Sequence, residues 1–227
     1  MIEEPPLLTI AATIARPDAA LVEKFAGAPT CFVVDAMGGA GALDWRIKPI
    51  VGAALVGVAL TCDCGPGDNL ALAAAIGQCQ PGDVLVASTG GFTGTAVIGD
   101  LMLGIARNRG AAGFVTDGLV RDRADLETLG LPVYALGVTP DSPGMRGPGS
   151  VGLPIICGGR AIASGDILIG DRDGIVVVPR ANIAETLASL DAVRAAEAAL
   201  LARVRGGLKQ LPFADEKLKG GRIRRVE

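Results

Sequence analysis

The stretch GDLMLGIARNRGAAGFVTDGLVRD, residues 99–122, joins a helix pattern to a strand pattern through a very short link. Its first part predicts a helix from Asp100 to Arg109 that ends at Gly110, a residue typical of helix C-termini. The apolar run Gly113–Asp117 then predicts a buried strand. At ~1.5 Å per helical residue and ~3.3 Å per strand residue, the two elements have similar lengths of about 15 Å. We therefore expect them to lie antiparallel.

This geometry would make charged residues from the two ends of the stretch neighbours. Asp100, at the start of the helix, is expected beside Arg121 and Asp122, which follow the strand. A helix N-terminus offers unpaired N–H groups and the positive end of a dipole, which suit a carboxylate or phosphate. Arg121 adds a planar set of donors, and the carboxylates offer hard oxygen ligands. The corner could thus bind an α-keto acid together with a divalent metal.

A purely structural interpretation accounts for the same residues. Asp100 can be the N-cap of its helix, and Arg121 with Asp122 can form a surface ion pair that contributes little to stability. Asp125 lies in the first turn of the helix predicted over 122–129, where acidic residues are common. Spacing alone leaves both interpretations open.

Strand and helix patterns alternate before and after the quoted stretch, beginning with a strand pattern at 50–61. Short β-type runs follow from Val151, and one long alanine-rich helix is predicted at about 180–205, followed by a tail. This order predicts a layered α/β fold in which residues 1–227 form a single domain.

The composition excludes several classes of function. A formal net charge of −3 and only five Phe, one Trp and one Tyr provide neither a basic surface nor stacking platforms for nucleic acid. No apolar run is long enough to cross a bilayer, and the acidic, proline-containing start does not resemble a signal peptide. The five scattered cysteines are interpreted as core residues of a protein in the reducing cytoplasm.

The chain contains no histidine. Ser-His-Asp or Cys-His catalysis and metal binding through imidazole are therefore excluded. Any metal is expected to be bound by oxygen, which favours Mg²⁺ or Mn²⁺. Proton transfer must use a carboxylate, a lysine, a tyrosine, a cysteine or bound water.

Two other stretches carry candidate site residues. Asp166, Asp171 and Asp173 form a second acidic cluster, in which Asp171–Gly174, between two apolar runs, is interpreted as a hairpin turn. The loop Gly90–Gly94 lacks the Gly-Lys-Ser/Thr ending of a phosphate-binding loop, and it is interpreted as space for a substrate beside the helix start.

The charged residues of the corner have an ordered spacing. Asp100 is followed after twenty residues by Arg121 and Asp122, and after two more by Asp125. This pattern, D-x20-R-D-x2-(D/E), resembles the signature of the class II pyruvate aldolases that cleave 4-hydroxy-4-methyl-2-oxoglutarate and 4-carboxy-4-hydroxy-2-oxoadipate, in the superfamily of the regulator of ribonuclease activity A. The resemblance covers most of the chain through VVDAM (33–37), GDNLALAAAI (67–76), PGDVLV (81–86), RGAAGFVTDGLVRD (109–122) and SGDILIGDRDGIVVVP (164–179).

The resemblance implies an α/β/β/α sandwich related to swivelling phosphohistidine-type domains, assembled as a homotrimer or a dimer of trimers with sites between subunits. It implies that Asp122 binds Mg²⁺ or Mn²⁺ directly and that Asp100 holds this metal through water. The 2-oxo acid substrate would be bound by Arg121 and by backbone groups of Gly99, Leu101 and Met102. In the family, a glutamate on the C-terminal helix of a neighbouring subunit completes the site. The helix register indicates Glu197 for this catalytic role, with Glu185 as the alternative.

The function implied is metal-dependent retro-aldol cleavage of a 4-hydroxy-2-oxo diacid into pyruvate and a second carbonyl product. Oxaloacetate decarboxylation is expected as a side activity because it passes through the same pyruvate enolate. The alternative is a non-catalytic protein that regulates a partner by binding, like the ribonuclease regulator of the same superfamily.

Overall fold

The computed structural model describes residues 4, 6–220, 222–224 and 226, so parts of the acidic start and of the predicted tail lie outside the described residues. The chain falls into two compact units, one up to Leu190 and one from Asp191 onward. The expectation of a single domain over 1–227 stays a prediction.

Helices and strands alternate in the first part of the described chain, and strands predominate from Gly149 to Val178. The strands are β1 (Leu8–Ile10), β2 (Lys48–Val51), β3 (Leu55–Asp63), β4 (Asp83–Ser88), β5 (Ala96–Ile98), β6 (Gly113–Thr116), β7 (Leu119–Val120), β8 (Val133–Ala135), β9 (Gly137–Val138), β10 (Gly149–Val151), β11 (Ile155–Cys157), β12 (Arg160–Ile162), β13 (Ile167–Asp171) and β14 (Gly174–Val178). The helices are α1 (Ala19–Glu23), α2 (Thr30–Ala36), α3 (Leu70–Gln78), α4 (Asp100–Asn108), α5 (Arg123–Leu129), α6 (Ile183–Arg205) and α7 (Pro212–Lys219).

A nine-stranded sheet organises the first unit. Its strands follow the order β1-β10-β3-β4-β6-β8-β2, and β13 pairs with both β3 and β14. The neighbours β3, β4, β6 and β8 are parallel, whereas β10, β13 and β2 are antiparallel to the strands they join. A separate three-stranded parallel sheet consists of β5, β7 and β9, and β11 pairs with β12.

Side chains of the buried parallel strands alternate between two faces of the sheet, as the two-residue period of a strand requires. In β4, Leu85 packs with α3, α4 and α5, whereas Val84 and Val86 pack with β11 to β14. In β6, Phe114 and Val115 divide in the same way. A third cluster packs α1, α2 and the start of α6 against β13 and β14. The layered α/β fold expected from the sequence is therefore confirmed.

The structure corrects two of the sequence predictions and confirms a third. The strand predicted at 50–61 is wrong in its bounds, because Gly52 adopts a φ of +58° and separates β2 from β3. The turn predicted in the second acidic cluster is confirmed, since Asp171 and Gly174 are paired at the end of the β13–β14 hairpin. Cys31 is exposed, so its interpretation as a core residue is wrong, whereas the other four cysteines are buried.

The helix predicted at about 180–205 is found as a 3-10 turn, Arg180–Asn182, followed by α6. No helix in the described part of the chain is both long enough and apolar enough to cross a membrane.

A buried ion pair joins the N-terminal segment to the start of β4. Arg16 donates from Nε and Nη2 to the two carboxylate oxygens of Asp83, at 2.9 and 2.7 Å. Asp83 is only 1% exposed, and it also accepts a hydrogen bond from the backbone N–H of Gln80 at 2.9 Å. Because a buried carboxylate is costly without donors, the three contacts together allow Asp83 to begin a fully buried strand.

We expect Arg16→Ala to lower the free energy of unfolding by about 2–4 kcal/mol, because it leaves the Asp83 carboxylate buried without its countercharge. Chemical denaturation at neutral pH measures this loss. The matched control is Arg123→Ala, which removes the exposed pair between Arg123 and Glu127 and should cost less than about 1 kcal/mol. Equal losses in the two variants would show that the buried pair has no special role.

Candidate active site

The small parallel sheet brings the two ends of the quoted stretch together. β5 leads directly into Gly99 and α4, and β7 leads directly into Arg121 and Asp122. The N–H of Arg121 donates to the carbonyl of Ile98 at 3.0 Å, which holds the end of β7 beside the end of β5. The neighbourhood expected from element lengths is therefore present. It lies at the carboxyl ends of parallel strands, where α/β proteins commonly bind ligands.

The chain reaches this corner by a route that the sequence did not predict. Arg121 does not follow β6 directly, because Asp117 and Gly118 carry the chain out of the large sheet into β7. Leu136 donates its N–H to the carbonyl of Gly118 at 2.9 Å, which joins this crossing to the segment between β8 and β9. Arg121 is thus positioned by a second sheet and not by the strand that precedes the motif.

Gly99 lies in direct contact with the Arg121–Asp122 pair. A Cβ atom at this position would be 2.1 Å from Oδ2 of Asp122 and 3.0 Å from Nε of Arg121. The absence of a side chain therefore permits the approach, although the φ of −132° is open to any residue. Gly99 is also the N-cap residue of α4, so the interpretation of Asp100 as the N-cap is wrong. Asp100 occupies the first position inside the helix.

Asp122 has a left-handed backbone conformation, with φ 60° and ψ 40°. No other described non-glycine residue has a positive φ. Such a conformation costs roughly 1–3 kcal/mol and is often found at functional sites. Asp122 precedes α5, but its side chain makes no capping hydrogen bond to that helix. Its Oδ2 accepts a bond from Nε of Arg121 at 3.2 Å instead.

Arg121 is held between Asp122 and the loop after β9. Its Nη1 donates to Oγ of Ser142. The side chains of Arg121 and Asp122 are 37% and 34% exposed, so both are accessible to a ligand. The partly exposed ion pair anticipated by the structural interpretation is therefore present. An ion pair alone does not explain the strained backbone of Asp122 or the contact with Gly99.

Several polar groups at this corner have no partner among the residues that the structure describes. No side chain caps the first turn of α4, so the N–H groups of Leu101 and Met102 lack acceptors from the helix or from a cap. Among the described residues, none donates a hydrogen bond to Oδ1 of Asp122 or to the carboxylate of Asp100. The corner therefore combines unused donors with unused carboxylate oxygens.

The donor set can be tested against the divalent metal that the family resemblance implies. No group of three or more His, Cys, Asp or Glu side chains that could hold a metal occurs in the described ranges. Mg²⁺ commonly uses one or two carboxylates and keeps several water molecules. Asp122 with Asp100 fits an ion of this kind, and it does not fit an ion that requires a closed protein cage.

Two residues near the corner were not singled out from the sequence. Ser142 lies in a proline- and glycine-rich connection, which gave no sign of its contact with Arg121. Asn69 is 6% exposed, and its Nδ2 donates to the carbonyl of Val97 at 3.2 Å and contacts Sδ of Met102 at 3.5 Å. Its Oδ1 is the one buried side-chain nitrogen or oxygen atom without a partner in the described chain. Asn69 links Val97 of β5 to Met102 of α4. The sequence signal for this link is a polar amide residue directly before the apolar helix α3.

The two candidate glutamates both belong to α6. Glu197 is half-buried and lies in the second unit. Glu185 is exposed in the first turn of the helix, where it lines a cavity with Met37 and Arg160. The catalytic role of either residue stays a prediction.

A large cavity lies away from the corner. It has a volume of about 920 Å³, and its lining includes Gly90, Gly91 and Asp117. Asp100 and the Arg121–Asp122 pair do not line it. The glycine loop predicted to leave space beside the start of α4 therefore borders this other cavity.

Comparisons with known proteins agree with the resemblance. A family model described as RraA-like (Aldolase/RraA) matches residues 30–177. A protein of Halalkalibacterium halodurans named "Putative 4-hydroxy-4-methyl-2-oxoglutarate aldolase" is 38% identical over 160 residues, which are 70% of this chain and 76% of the relative.

Solved structures show the same relationship. The RNA-processing inhibitor RraA from Thermus thermophilis is 29% identical, with a TM-score of 0.62 over 67% of this chain and 93% of that chain. Streptomyces coelicolor RraAS2, described as an unusual member of the RNase ES inhibitor RraA protein family, is 29% identical, with a TM-score of 0.71 over 84% of this chain and 100% of that chain.

We expect Gly99→Ala to fold but to displace the carboxylate of Asp122, because the new methyl group would overlap Oδ2. The displaced atom is the end of a flexible side chain, so the melting temperature should change by no more than about 5 °C. A crystal structure and a thermal unfolding curve of the variant test both points. The matched control, Gly104→Ala in the same helix, has its nearest neighbour at 4.0 Å and should leave Asp122 in place. An unmoved Asp122 in Gly99→Ala would contradict the geometry of this corner.

Proposed function

The chain belongs to the RraA-like family (Aldolase/RraA), and on that premise we propose that it is a divalent-metal-dependent pyruvate aldolase. Its proposed substrate is a 4-hydroxy-2-oxo diacid, which is cleaved to pyruvate and a second carbonyl product. The observation that carries this proposal is the contact between the N-terminus of α4 and the Arg121–Asp122 pair. The name of the Halalkalibacterium halodurans relative supports the same substrate class.

Arg121 would bind the carboxylate of the 2-oxo acid. Its Nε and Nη1 are engaged by Asp122 and Ser142, which fixes the plane of the guanidinium and leaves Nη2 without a partner among the described residues. The free N–H groups of Leu101 and Met102, next to Gly99, lie at the positive end of α4 and would bind a second oxygen of the same group. Donors from two elements would thus orient the substrate before reaction.

Asp122 would hold Mg²⁺ or Mn²⁺ directly, and Asp100 would hold it through water. When bound, the ion would act as a Lewis acid on the 2-oxo group. The absence of histidine from the chain and the two unused carboxylates support an oxygen-bound ion of this kind. The left-handed backbone of Asp122 directs its carboxylate away from the cap of α5, which keeps Oδ1 available.

Cleavage begins when a carboxylate, directly or through water, accepts the proton of the C4 hydroxyl group. The C3–C4 bond then breaks, C4 becomes the carbonyl carbon of the leaving product, and the bonding electron pair forms the pyruvate enolate. Arg121 stabilises the negative charge of the enolate, and protonation at C3 gives pyruvate. Oxaloacetate would lose CO₂ to the same enolate, so we propose its decarboxylation as a side activity.

Asp100 and Glu197 are the carboxylates proposed for proton transfer, with Glu185 as the alternative to Glu197. In the proposed assembly, a homotrimer or a dimer of trimers, Glu197 would come from a neighbouring subunit. The position of Glu197 on the long helix α6 supports this role only through the family resemblance.

A second candidate function is regulation of a partner protein by binding, without catalysis. The Thermus thermophilis structure supports it, because that protein is described as an RNA-processing inhibitor. The complete set of Asp100, Arg121, Asp122 and Asp125 favours catalysis. A surface that only binds a protein does not require a strained aspartate against a glycine at a helix start.

We expect pyruvate to be released from 4-hydroxy-4-methyl-2-oxoglutarate and from oxaloacetate in the presence of Mg²⁺ or Mn²⁺, and a chelator to stop both reactions. Arg121→Ala and Asp122→Ala should each lower kcat/KM by at least about 100-fold without unfolding the protein. An assay coupled to lactate dehydrogenase measures the pyruvate. Glu127→Ala, an exposed change on α5, is the matched control and should keep the full rate. Absence of metal-dependent pyruvate, or a full rate in Asp122→Ala, would rule the proposal out for these substrates.

A subunit-mixing experiment tests the site between subunits. Asp122→Ala and Glu197→Ala are each expected to be inactive. In a random equal mixture, a site is active when one chain supplies an intact Asp122 and its neighbour an intact Glu197. Each condition is met in about half of the cases, so roughly a quarter of the sites should be restored. Native mass spectrometry establishes that mixed assemblies have formed. Glu185→Ala is the matched control and should keep its activity without mixing. An inactive Glu185→Ala that recovers on mixing with Asp122→Ala, together with a fully active Glu197→Ala, would assign the role to Glu185.

A further inference from the structure

The cavity of about 920 Å³ lies at the carboxyl ends of the central parallel strands. Asp63 ends β3, Ser88 ends β4 and Asp117 follows β6, and all three line the cavity. Its volume is within the range of about 300–1,000 Å³ that is usual for small-molecule sites. None of Asp100, Arg121 and Asp122 lines this cavity. The cavity is therefore separate from the proposed aldolase site.

Asp117 supplies a buried charge to this cavity. The residue is 7% exposed, and its Oδ1 accepts hydrogen bonds from the N–H and Oγ1 of Thr89 at 2.7 and 3.2 Å. Its Oδ2 has no hydrogen-bond or ion-pair partner in the described part of the chain. Because Asp117 lines the cavity and its Oδ2 accepts no hydrogen bond from the described chain, this oxygen is available to pair with a cation that enters the cavity.

The one cationic side chain that lines the cavity is already engaged. Arg46 donates from Nε and Nη2 to the two carboxylate oxygens of Asp44, at 3.0 and 2.7 Å. The hydrogen bonds from Arg46 lower the pKa of Asp44 to about 2, so this pair is fully ionised and mutually neutralised at neutral pH. Asp63 and Asp117 then leave the lining with an excess of negative charge.

The remaining lining favours an organic cation over a metal ion. Apolar residues from three parts of the chain border the cavity, including Ile47, Leu136 and Ile155. The hydroxyl of Ser88 donates to the carbonyl of Ile156 at 2.7 Å, so its hydrogen is not available to a ligand. A metal ion needs several oxygen ligands, whereas an ammonium group needs one strong acceptor and an apolar surface for its stem.

We propose that this cavity is a binding site for an organic ammonium compound with an apolar stem, in which the ammonium group pairs with Asp117 and the stem packs against Leu136 and Ile155. The proposal does not depend on the aldolase activity, because it uses neither Arg121 nor Asp122.

The probe is n-butylammonium, titrated into the full chain by calorimetry or by amide NMR. Butyrate and n-butanol, which have similar stems but no positive charge, are the matched ligands, and Mg²⁺ is the inorganic cation. We expect n-butylammonium to bind more tightly than the other three. Asp117→Asn should weaken its binding by at least about tenfold, since the charged hydrogen bond is lost. The variant retains the oxygen that accepts the Thr89 bonds, so the fold should be kept.

A pair of surface variants provides an independent test. Ile156 lines the cavity and is 62% exposed, so its replacement should not affect folding. Ile156→Lys should weaken n-butylammonium binding by charge repulsion, and Ile156→Gln should weaken it much less. Asp122→Asn should leave the binding unchanged, and a loss there would assign the probe to the aldolase corner and overturn the proposal. Equal binding to wild type and Asp117→Asn, equal binding of n-butanol, or binding of Mg²⁺ alone would also overturn it.

Discussion

The hydrogen bond from the N–H of Arg121 to the carbonyl of Ile98 is the interaction on which the candidate site depends. It pairs the ends of β7 and β5 in parallel, and each strand leads directly into a segment of the candidate site. After β5, α4 begins directly behind its N-cap residue Gly99. After β7, Asp122 adopts a left-handed conformation. Because strand pairing fixes backbone positions to within a fraction of a hydrogen-bond length, two segments more than twenty residues apart are held in contact without a flexible link.

The carboxylates of the chain differ in whether the protein itself supplies their hydrogen-bond donors. Asp83 meets a guanidinium and a backbone N–H, and Asp166 accepts N–H bonds from Ala163 and Arg180 at 2.9 Å each. These carboxylates stabilise turns and strand ends, and each of their oxygens accepts at least one hydrogen bond from the protein. Asp100 and Oδ1 of Asp122 accept no such bonds from described residues, although fully free donors lie beside them at the start of α4. Unused acceptors next to unused donors are expected where a ligand and an ion complete the structure.

The sequence predicted the corner because helix and strand lengths are regular. A helix and a strand of about 15 Å joined by a short link bring the chain back near the start of the helix, and β7 then carries it to Arg121. The second sheet was not predictable, since β5, β7 and β9 have two or three residues each and carry no period of their own. Gly99 could not be recognised as the contact with Asp122, because that requirement comes from a residue distant in sequence. The partner of Arg121 in the 139–149 connection was missed for the same reason.

The proposed function requires Asp122, beside Arg121, to bind a divalent ion to which a keto acid also binds. A titration with Mn²⁺ followed by electron paramagnetic resonance, with and without pyruvate, measures this without any turnover. The proposal predicts that the wild type binds Mn²⁺ and that pyruvate strengthens this binding. Arg121→Ala should abolish the effect of pyruvate, and Asp122→Asn should abolish binding of the ion. Binding of Mn²⁺ by Asp122→Asn with unchanged affinity would contradict the assignment.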